Sequence, residues 1–364
     1  MYFGEIFAEE HKPSRKKITF SIKPPLKHYL KKYGREVTLP VEYRDMMRFT
    51  YARPLIDMNG EETAWEEVSY DMREWEYLNE ALIQCYSILK TEGDFSYAGN
   101  LKIARIDFCS FGNSQPFRIK IVKLHNGHYD FFYIKKADAS RVYGLELENM
   151  LATARVMFLT CNETLVEEHI AGVPGDVFIK DYLAKPETDK IRVMKSFVKF
   201  NEFCFARLLG DMRSYNFVVR IIPDIEMIHY KFRAIDFDQQ CYEGRMRLYL
   251  PQFAKENYTL VKQSGELLSD EVLKQYRAEE RSRLVHRIAS ERYRMKALMD
   301  IMIRDEISTK EKTDQLKMEL ANHHRDTRFL KATTMGEILK LHMKKVLGPH
   351  LRLISKSAKT RRYA

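Results

Sequence analysis

The chain has 364 residues, of which 45% are hydrophobic and 31% are charged, and its formal net charge at pH 7 is +10. This composition supports a folded core and excludes disorder along the whole chain. The five cysteines are odd in number, scattered and never spaced as C-x-x-C, which argues against a disulfide framework or a structural zinc and for a reducing compartment. No stretch approaches about 18 uninterrupted apolar residues, and the first residues lack the basic-then-apolar order of a signal peptide. We therefore expect a cytoplasmic protein without a transmembrane segment.

The positive charge is concentrated near the end of the sequence. Residues 338–364 contain eight lysines and arginines and no acid, whereas residues 57–80 contain nine acids and one arginine. A basic tail can bind an acidic partner, an anionic surface or nucleic acid, although a solvated tail explains most short basic runs. Nucleic-acid binding by the tail has only its charge in favour, because the tail lacks interleaved aromatic residues.

Strands dominate the first half of the sequence after an initial helix. Apolar residues recur at helical spacing over residues 74–90, and alternating patterns follow. The turn Asn126-Gly127 predicts a hairpin, since Asn-Gly tolerates the positive φ that such turns require. The predicted elements, in chain order, are a helix over 74–90 that ends at 91–94, strands over 101–108, 117–121 and 130–136, a helix over 140–155, and strands over 156–160 and 164–170.

After Gly172 the pattern becomes mainly helical, because apolar residues recur every three or four positions. The predicted features, in chain order, are a helix over 191–208 that stops at Gly210, a hairpin with strands 217–222 and 230–237, charged helices from 269 with capping boxes at 308–311 and 334–337, and a helix stop at Leu347-Gly348-Pro349.

Two short motifs place polar groups at the open ends of neighbouring predicted strands. Residues 211–216, Asp-Met-Arg-Ser-Tyr-Asn, have the form D-x-x-x-x-N, and Asp236 follows the predicted hairpin. The first motif alone carries no information, since a chain of this composition contains about one by chance. Together the motifs supply two carboxylates and an amide, the set that phosphoryl transfer needs. One carboxylate orients the acceptor hydroxyl, while an Asp and an Asn hold the metal that bridges the phosphates.

The order of these motifs resembles the catalytic loop and metal motif of the protein-kinase-like superfamily, D-x-x-x-x-N followed by D-F-G or a variant. Residues 235–238, Ile-Asp-Phe-Asp, are closer to lipopolysaccharide sugar kinases and to aminoglycoside and choline phosphotransferases than to ordinary protein kinases. The resemblance implies that the protein uses ATP and Mg²⁺. It also implies that Asp211 is the catalytic base, that Arg213 contacts the γ-phosphate, and that Asn216 and Asp236 are magnesium ligands.

The resemblance extends upstream to an ATP-binding lysine, which is Lys135 or Lys136. Lys135 follows an apolar residue, as is usual in the family. Lys136 would instead place Ile134, rather than the bulkier Tyr133, beneath the adenine. The lysine of this pair that does not bind ATP would be an ordinary solvated surface charge.

Three further features follow from the resemblance. Glu146 or Glu148 would be the helix glutamate that pairs with the lysine. The backbone groups of Glu168 and Ile170 would hydrogen-bond the adenine edge as a hinge, although a buried strand would have the same pattern. The phosphate loop contains one glycine, Gly112, where the family has three, so fewer backbone N–H groups can approach the phosphates.

The sequence therefore predicts an α+β, protein-kinase-like bilobal fold with an antiparallel-sheet N-lobe and a mainly helical C-lobe. The predicted domains are an N-terminal extension (1–96), the N-lobe and hinge (97–172), the C-lobe (173–303) and a helical, basic C-terminal tail (304–364). The predicted function is transfer of the γ-phosphate of ATP to a hydroxyl group of a sugar, a small molecule or a protein.

The alternative function is a pseudokinase that acts as a nucleotide-binding or protein-binding scaffold. The single-glycine loop favours it, and so does Leu209-Gly210 before Asp211, where the family usually has a His or Arg. No A-P-E-like element follows Asp238. Among other candidates, His323-His324 with Asp326 could bind a metal, but a solvated pair on a charged helix is more common.

Overall fold

The computed structural model of the chain describes residues 17–56 and 60–360, with side chains up to residue 350. It confirms an α+β protein with an antiparallel sheet in the N-terminal part and mostly helices in the C-terminal part. The chain divides into two compact units. The sheet unit comprises residues 19–145 and 154–169, and the helical unit comprises residues 17–18, 146–153 and 170–360.

Helices and strands are numbered in chain order. The strands are β1 (Tyr51–Ile56), β2 (Glu62–Ser69), β3 (Leu101–Phe108), β4 (Phe117–Lys123), β5 (Tyr129–Lys136), β6 (Phe158–Cys161), β7 (Thr164–Glu168), β8 (Val173–Pro174), β9 (Phe217–Pro223) and β10 (Ile228–Ala234). The helices are α1 (Pro24–Lys32), α2 (Tyr43–Met46), α3 (Met72–Thr91), α4 (Ala139–Leu151), α5 (Gly175–Val177), α6 (Lys190–Arg207), α7 (Tyr258–Leu267), α8 (Asp270–Ser290), α9 (Arg292–Met302), α10 (Lys310–His324) and α11 (Met335–Thr360).

The sheet unit is built on seven antiparallel strands in the order β1-β2-β3-β4-β5-β7-β6. The strands predicted from alternation are confirmed as β3, β4 and β5, and Gly127 has the positive φ, 68°, that the predicted hairpin turn requires. Residues on one side of β3, β4, β5 and β7 are buried with α3 in a common apolar core: Ile103, Ile106, Phe117, Ile119, Ile121, Phe132, Ile134 and Val166.

Both edges of this sheet are protected from pairing with further strands. At the β6 edge, the backbone of residues 35–37 exchanges hydrogen bonds with Thr160. At the β1 edge, Pro54 offers no backbone N–H, the ladder is irregular between Pro54 and Ile56, and Arg53 is exposed. These are recognised devices against edge-to-edge association.

The helical unit contains a short sheet, β10-β9-β8, and helices packed around α6. The helix predicted over residues 191–208 is α6. It buries Val193, Met194 and Phe197 against β10, α7, α8 and α11. The helix ends at Arg207, and the next residue, Leu208, caps it in the left-handed conformation (φ 53°), two residues before the predicted stop at Gly210. The α10 cap is also shifted from the prediction: Thr309, not Ser308, accepts from the Lys312 amide, while Ser308 donates to the Tyr242 carbonyl.

The predicted helix stop at Leu347-Gly348-Pro349 is wrong, because α11 continues through Pro349 to Thr360. A proline inside a helix removes one backbone hydrogen bond and clashes with the preceding turn. Here the apolar pattern outweighs that cost, because Ile338, Leu339 and Leu347 are all buried.

No helix within residues 17–56 and 60–360 is long and apolar enough to cross a membrane.

The boundary predicted at residue 96 does not separate the two units, because β1, β2 and α3 belong to the same unit as β3–β7. The segment before residue 17 and residues 361–364, parts of the predicted extension and tail, lie outside the described residues.

Candidate functional site

A tight turn after α6 carries Asp211. Asp211 has a positive φ of 56°, a conformation that is uncommon for a non-glycine residue, and its amide donates to the Leu248 carbonyl at 3.0 Å. Strained backbone of this kind costs on the order of 1–3 kcal/mol and clusters at functional sites, where the surrounding structure holds it.

The side chains of the predicted catalytic loop gather around this residue. Arg213 Nε donates to Asp211 Oδ1 at 2.8 Å, and Asn216 Nδ2 donates to the Asp211 carbonyl at 2.7 Å. A carbonyl oxygen can only accept, so this bond fixes which end of the Asn216 amide points inward. The Asn216 side-chain oxygen is therefore directed away from the turn.

Asp236 lies beside the same turn. The amide of Ile235 donates to the Asn216 carbonyl at 3.0 Å, which ties the two predicted metal ligands into neighbouring positions. Burial raises the pKa of Asp211 to about 6. The charge of Arg213 opposes this increase, while the negative charge of Asp236 adds to it. The structure thus brings together the two carboxylates and the amide that the motifs predicted.

Two residues that sequence reasoning missed anchor this turn. The side chain of Gln240 is fully buried, and its amide donates to the carbonyls of Arg207 and Leu208 at 2.6 and 3.2 Å. These carbonyls belong to the end of α6, where helix carbonyls lack intrahelical partners. Arg207, also fully buried, donates back to Gln240 Oε1 at 3.2 Å and forms an ion pair with Glu148.

Backbone hydrogen bonds join the same two segments of the chain. The amides of Gly210 and Cys241 donate to the carbonyls of Gln239 and Leu208 at 3.1 and 2.9 Å. The segment that ends in Asp211 is thereby held in register with the segment that follows Asp236. These contacts anchor the turn that carries Asp211.

The two candidate lysines differ in environment. Lys135 is buried, and its Nζ lies 2.5 Å from Glu167 Oε2, with Arg141 on the other oxygen of Glu167 at 3.1 Å. Lys136 is exposed. Register places Tyr133 on the same face of the sheet as Lys135, and the Tyr133 hydroxyl lies 3.1 Å from His169 Nδ1.

The two candidate glutamates have separate arginine partners. Glu146 is fully buried and accepts from Arg294 at 2.8 Å, whereas Glu148 pairs with Arg207. Both arginines lie in the helical unit with these glutamates. The pairing of either glutamate with a lysine stays a prediction.

The hinge and loop candidates have structural roles of their own. The Glu168 carboxylate accepts from Lys90 and from the Met157 amide at 2.9 and 2.7 Å, and Ile170 is buried. A Cβ on Gly112 would lie 2.9 Å from a Pro116 ring carbon, so this loop needs glycine for packing, whatever it binds.

The donor set at Asp211 suits magnesium better than a tightly chelated metal. Within the described part of the chain, no group of three or more His, Cys, Asp or Glu could hold a metal ion, and His324 bonds to His342 instead. Magnesium, however, is usually held by one or two protein oxygens together with phosphates and water. The Asp236 carboxylate and the outward amide oxygen of Asn216 fit that requirement.

No protein-family model matches this sequence, and a comparison with curated proteins found no match.

Proposed function

We propose that the protein is a protein-kinase-like phosphotransferase that moves the γ-phosphate of ATP to a hydroxyl acceptor. The observation that carries the proposal is the convergence of Asp211, Asn216 and Asp236 on one strained, anchored turn. Asp211 is half-buried, has a left-handed backbone and has a pKa raised to about 6, and perturbed, strained groups of this kind cluster at functional sites.

Asp211 is suited to act as a general base. A carboxylate whose pKa lies near neutrality can be ionised at rest and still accept a proton during the reaction. The acceptor oxygen attacks the γ-phosphorus, the bond to the bridging oxygen breaks, ADP leaves, and the acceptor proton passes to Asp211. Arg213, which bonds Asp211 in the free protein, can turn its guanidinium to the incoming phosphate and leave Oδ1 open for the acceptor.

Asn216 and Asp236 would hold magnesium, which neutralises charge on the phosphates when it is bound. The buried Lys135 is the better candidate for the phosphate-binding lysine, because it lies on the same sheet face as Tyr133 and faces Glu167. Gln240 and Arg207 keep Asp211 and Asp236 in register and do not touch the substrate.

A second candidate function is a pseudokinase scaffold, and one observation favours it. In the resembling family a small residue lies two positions before the lysine, where the adenine packs. Tyr133 stands there instead, bonded to His169 and 6.3 Å from the Trp65 ring, and Arg118 lies opposite it. A large side chain in that place obstructs the usual adenine position.

ATP binding measured with and without Mg²⁺, followed by ATP turnover, tests the proposal. Asp236→Asn removes the negative charge that would face magnesium, so both Mg-dependent affinity and turnover should collapse. Asp224→Asn is the matched control, because it makes the same substitution in the exposed turn between β9 and β10.

Three results separate the two candidates. Turnover that is lost in Asp236→Asn and kept in Asp224→Asn supports the phosphotransferase. Nucleotide binding without turnover in the unmodified protein supports the scaffold. If Asp236→Asn binds and hydrolyses Mg-ATP like the unmodified protein, the metal assignment is wrong.

A further inference from the structure

The sheet face opposite α3 carries rings and cations in adjacent rows. On β5, Tyr129, Phe131 and Tyr133 occupy every second position and therefore share this face. On β4, Lys120 stands directly opposite Phe131, and Arg118 stands opposite Tyr133. A row of three aromatic residues thus runs beside a row of two basic ones.

The side chains of the two rows are in contact. Lys120 Nζ lies 4.3 Å from the centre of the Tyr129 ring, and the Arg118 guanidinium lies 4.4 Å from the Trp65 ring and 5.4 Å from the Phe131 ring. The Tyr129 and Phe131 rings are 5.5 Å apart. These residues form one continuous surface, which we call the aromatic–basic face.

Positive charge is in excess on this face. The buried Asp107 pairs with Arg105 and Arg118, at 2.7 Å from each, so one carboxylate serves two guanidinium groups. The neighbouring Glu67 is neutralised by Arg53 at 2.7 Å. The carboxylates on β2 and β3 therefore do not cancel the cations.

The end of the face near the β4–β5 turn is accessible. Tyr129 is 59% exposed, and Lys102, which register places opposite Val122, is exposed as well. The Lys120 side chain forms no ion pair or hydrogen bond with any residue in the described part of the chain, and its ammonium rests on the Tyr129 ring. A ligand anion can therefore reach Lys120 without displacing a carboxylate.

We propose that the aromatic–basic face binds single-stranded nucleic acid. Unpaired bases can stack on the rings of Tyr129 and Phe131, while phosphates lie against Lys102, Arg105 and Lys120. A duplex hides its bases and an acidic peptide has none, so neither would use the rings. This binding does not require phosphotransfer, although Tyr133 belongs both to this face and to the position discussed above for the adenine.

Fluorescence anisotropy with a labelled single strand of about ten nucleotides, as oligo-dT and as oligo-U, tests the proposal. Lys120→Glu should lower the affinity at least ten-fold and should reduce the slope of log affinity against log salt by about 0.7 or more. Tyr129→Ala should lower the affinity about ten-fold, because stacking contributes to each bound base.

Lys123→Glu is the matched control. It makes the same charge change three residues along β4, and register places Lys123 opposite Leu101, on the side of the sheet that carries Ile119 and Ile121. It should retain binding within about two-fold, as expected for a charge change outside the contact. Thermal melts of all three variants check folding, and both Lys120 and Tyr129 have side chains outside the apolar core.

Four outcomes would overturn the proposal. The first is dissociation constants above about 10⁻⁴ M at moderate salt for both oligonucleotides, weaker than ordinary nonspecific binding. The second is an equal loss in Lys120→Glu and Lys123→Glu, which would indicate net charge alone. The third is unchanged binding by Tyr129→Ala. The last is displacement of the strand by poly-glutamate or by ATP as readily as by unlabelled strand, which would identify an acidic protein or a mononucleotide as the ligand.

Discussion

Asp211 combines a left-handed backbone, partial burial and a neighbouring carboxylate in one residue. Asparagine adopts the same backbone conformation readily and has nearly the same shape, so Asp211→Asn isolates the chemistry of the carboxylate. ATP affinity should be retained, because the role proposed for Asp211 is to orient the acceptor and not to hold the phosphates. Turnover should fall by a factor on the order of 10² or more in single-turnover or steady-state assays. A loss of affinity with unchanged turnover would contradict this role.

Gln240 anchors the turn that carries Asp211 but makes no contact with the Asp211 carboxylate. Gln240→Met keeps the side-chain length but removes the donor to the Arg207 and Leu208 carbonyls, which leaves buried acceptors unsatisfied at a cost of about 1–3 kcal/mol. We expect faster hydrogen exchange at the amides of residues 208–211. We also expect kcat for ATP to fall more than KM changes, because the position of Asp211 is lost and the binding groups remain.

The matched control for Gln240 is Asn201→Leu. Asn201 is another buried amide that donates to a carbonyl of α6, that of Phe197 at 3.0 Å, but it lies one helix turn or more from the site. Its replacement removes a buried amide whose Oδ1 has no partner, and it should leave exchange at residues 208–211 unaltered. Equal exchange changes in both variants would show that Gln240 has only a general structural role.

Among the elements, α6 and α11 are joined by a buried histidine. His342 Nε2 donates to the Phe205 carbonyl at 2.8 Å, and His324 Nε2 lies 3.0 Å from His342 Nδ1. Burial, and then the positive charge that His324 can carry, lowers the pKa of His342 to about 3. In the folded protein His342 is therefore neutral, whereas in the unfolded chain it takes up a proton near its ordinary pKa of about 6.5.

The sign of the resulting pH dependence follows from that difference. Stability is complete above about pH 6.5 and is lost as the pH falls towards 3, because only the unfolded state binds the proton in that range. His342 alone should contribute a slope of up to about 1.4 kcal/mol per pH unit near pH 5 in denaturant unfolding. His342→Phe should flatten this slope, while His125→Phe, in the exposed β4–β5 turn, should not. Equal slopes in all three proteins would contradict the assignment.

Which elements could be predicted depended on how regular their burial is. The strands β3, β4 and β5 were found because one side of each is buried and the other is not, so hydrophobicity alternates along them. The hairpin β1–β2 was missed, since most of its residues are exposed or half-buried on both faces and its sequence has no alternation. The stop at Pro349 was wrong because local propensity was read without the packing of Leu347.

The residues of the candidate site also differ in how far the sequence predicts them. The proximity of Asp211, Asn216 and Asp236 could be predicted, because the proposed chemistry needs these residue types at the ends of neighbouring strands. Arg207 and Gln240 could not, because the partners of Arg207 lie 33 and 59 residues away in sequence and no local pattern marks them. The polar anchoring of a turn becomes visible only when the chain is folded.

At the scale of the whole molecule, the basic tail can be tested by truncation. Among the side chains that the structure describes, up to residue 350, the last strongly buried ones of α11 are Val346 and Leu347. A chain that ends at His350 should therefore fold and melt within a few degrees of the full-length protein. A chain that ends at Lys340 removes His342 and these two apolar residues, and it should melt much lower. Aggregation of the chain that ends at His350 would show that residues after 350 are packed.

The same truncation tests the partner role of the tail. If the tail docks on an acidic partner or an anionic surface, its loss should weaken that association and spare ATP binding. The difference should shrink as salt rises, since the Debye length is about 10 Å at 0.1 M. Docking of the tail on the acidic residues 57–80 of the same chain would instead change hydrogen exchange there, although each exposed ion pair would contribute only about 1 kcal/mol or less.

The protected edges of the seven-stranded sheet have a consequence for the solubility of the protein. An open strand at the edge of a large sheet is a template on which a second molecule can extend the ladder, and such growth leads to aggregates and fibrils. Here the backbone of residues 35–37 closes one edge, and Pro54 with Arg53 interrupts the other. These five residues, none of which is a candidate catalytic residue, thereby protect the protein against polymerisation at high concentration. Variants selected for catalysis alone could lose this protection without any sign in an activity assay.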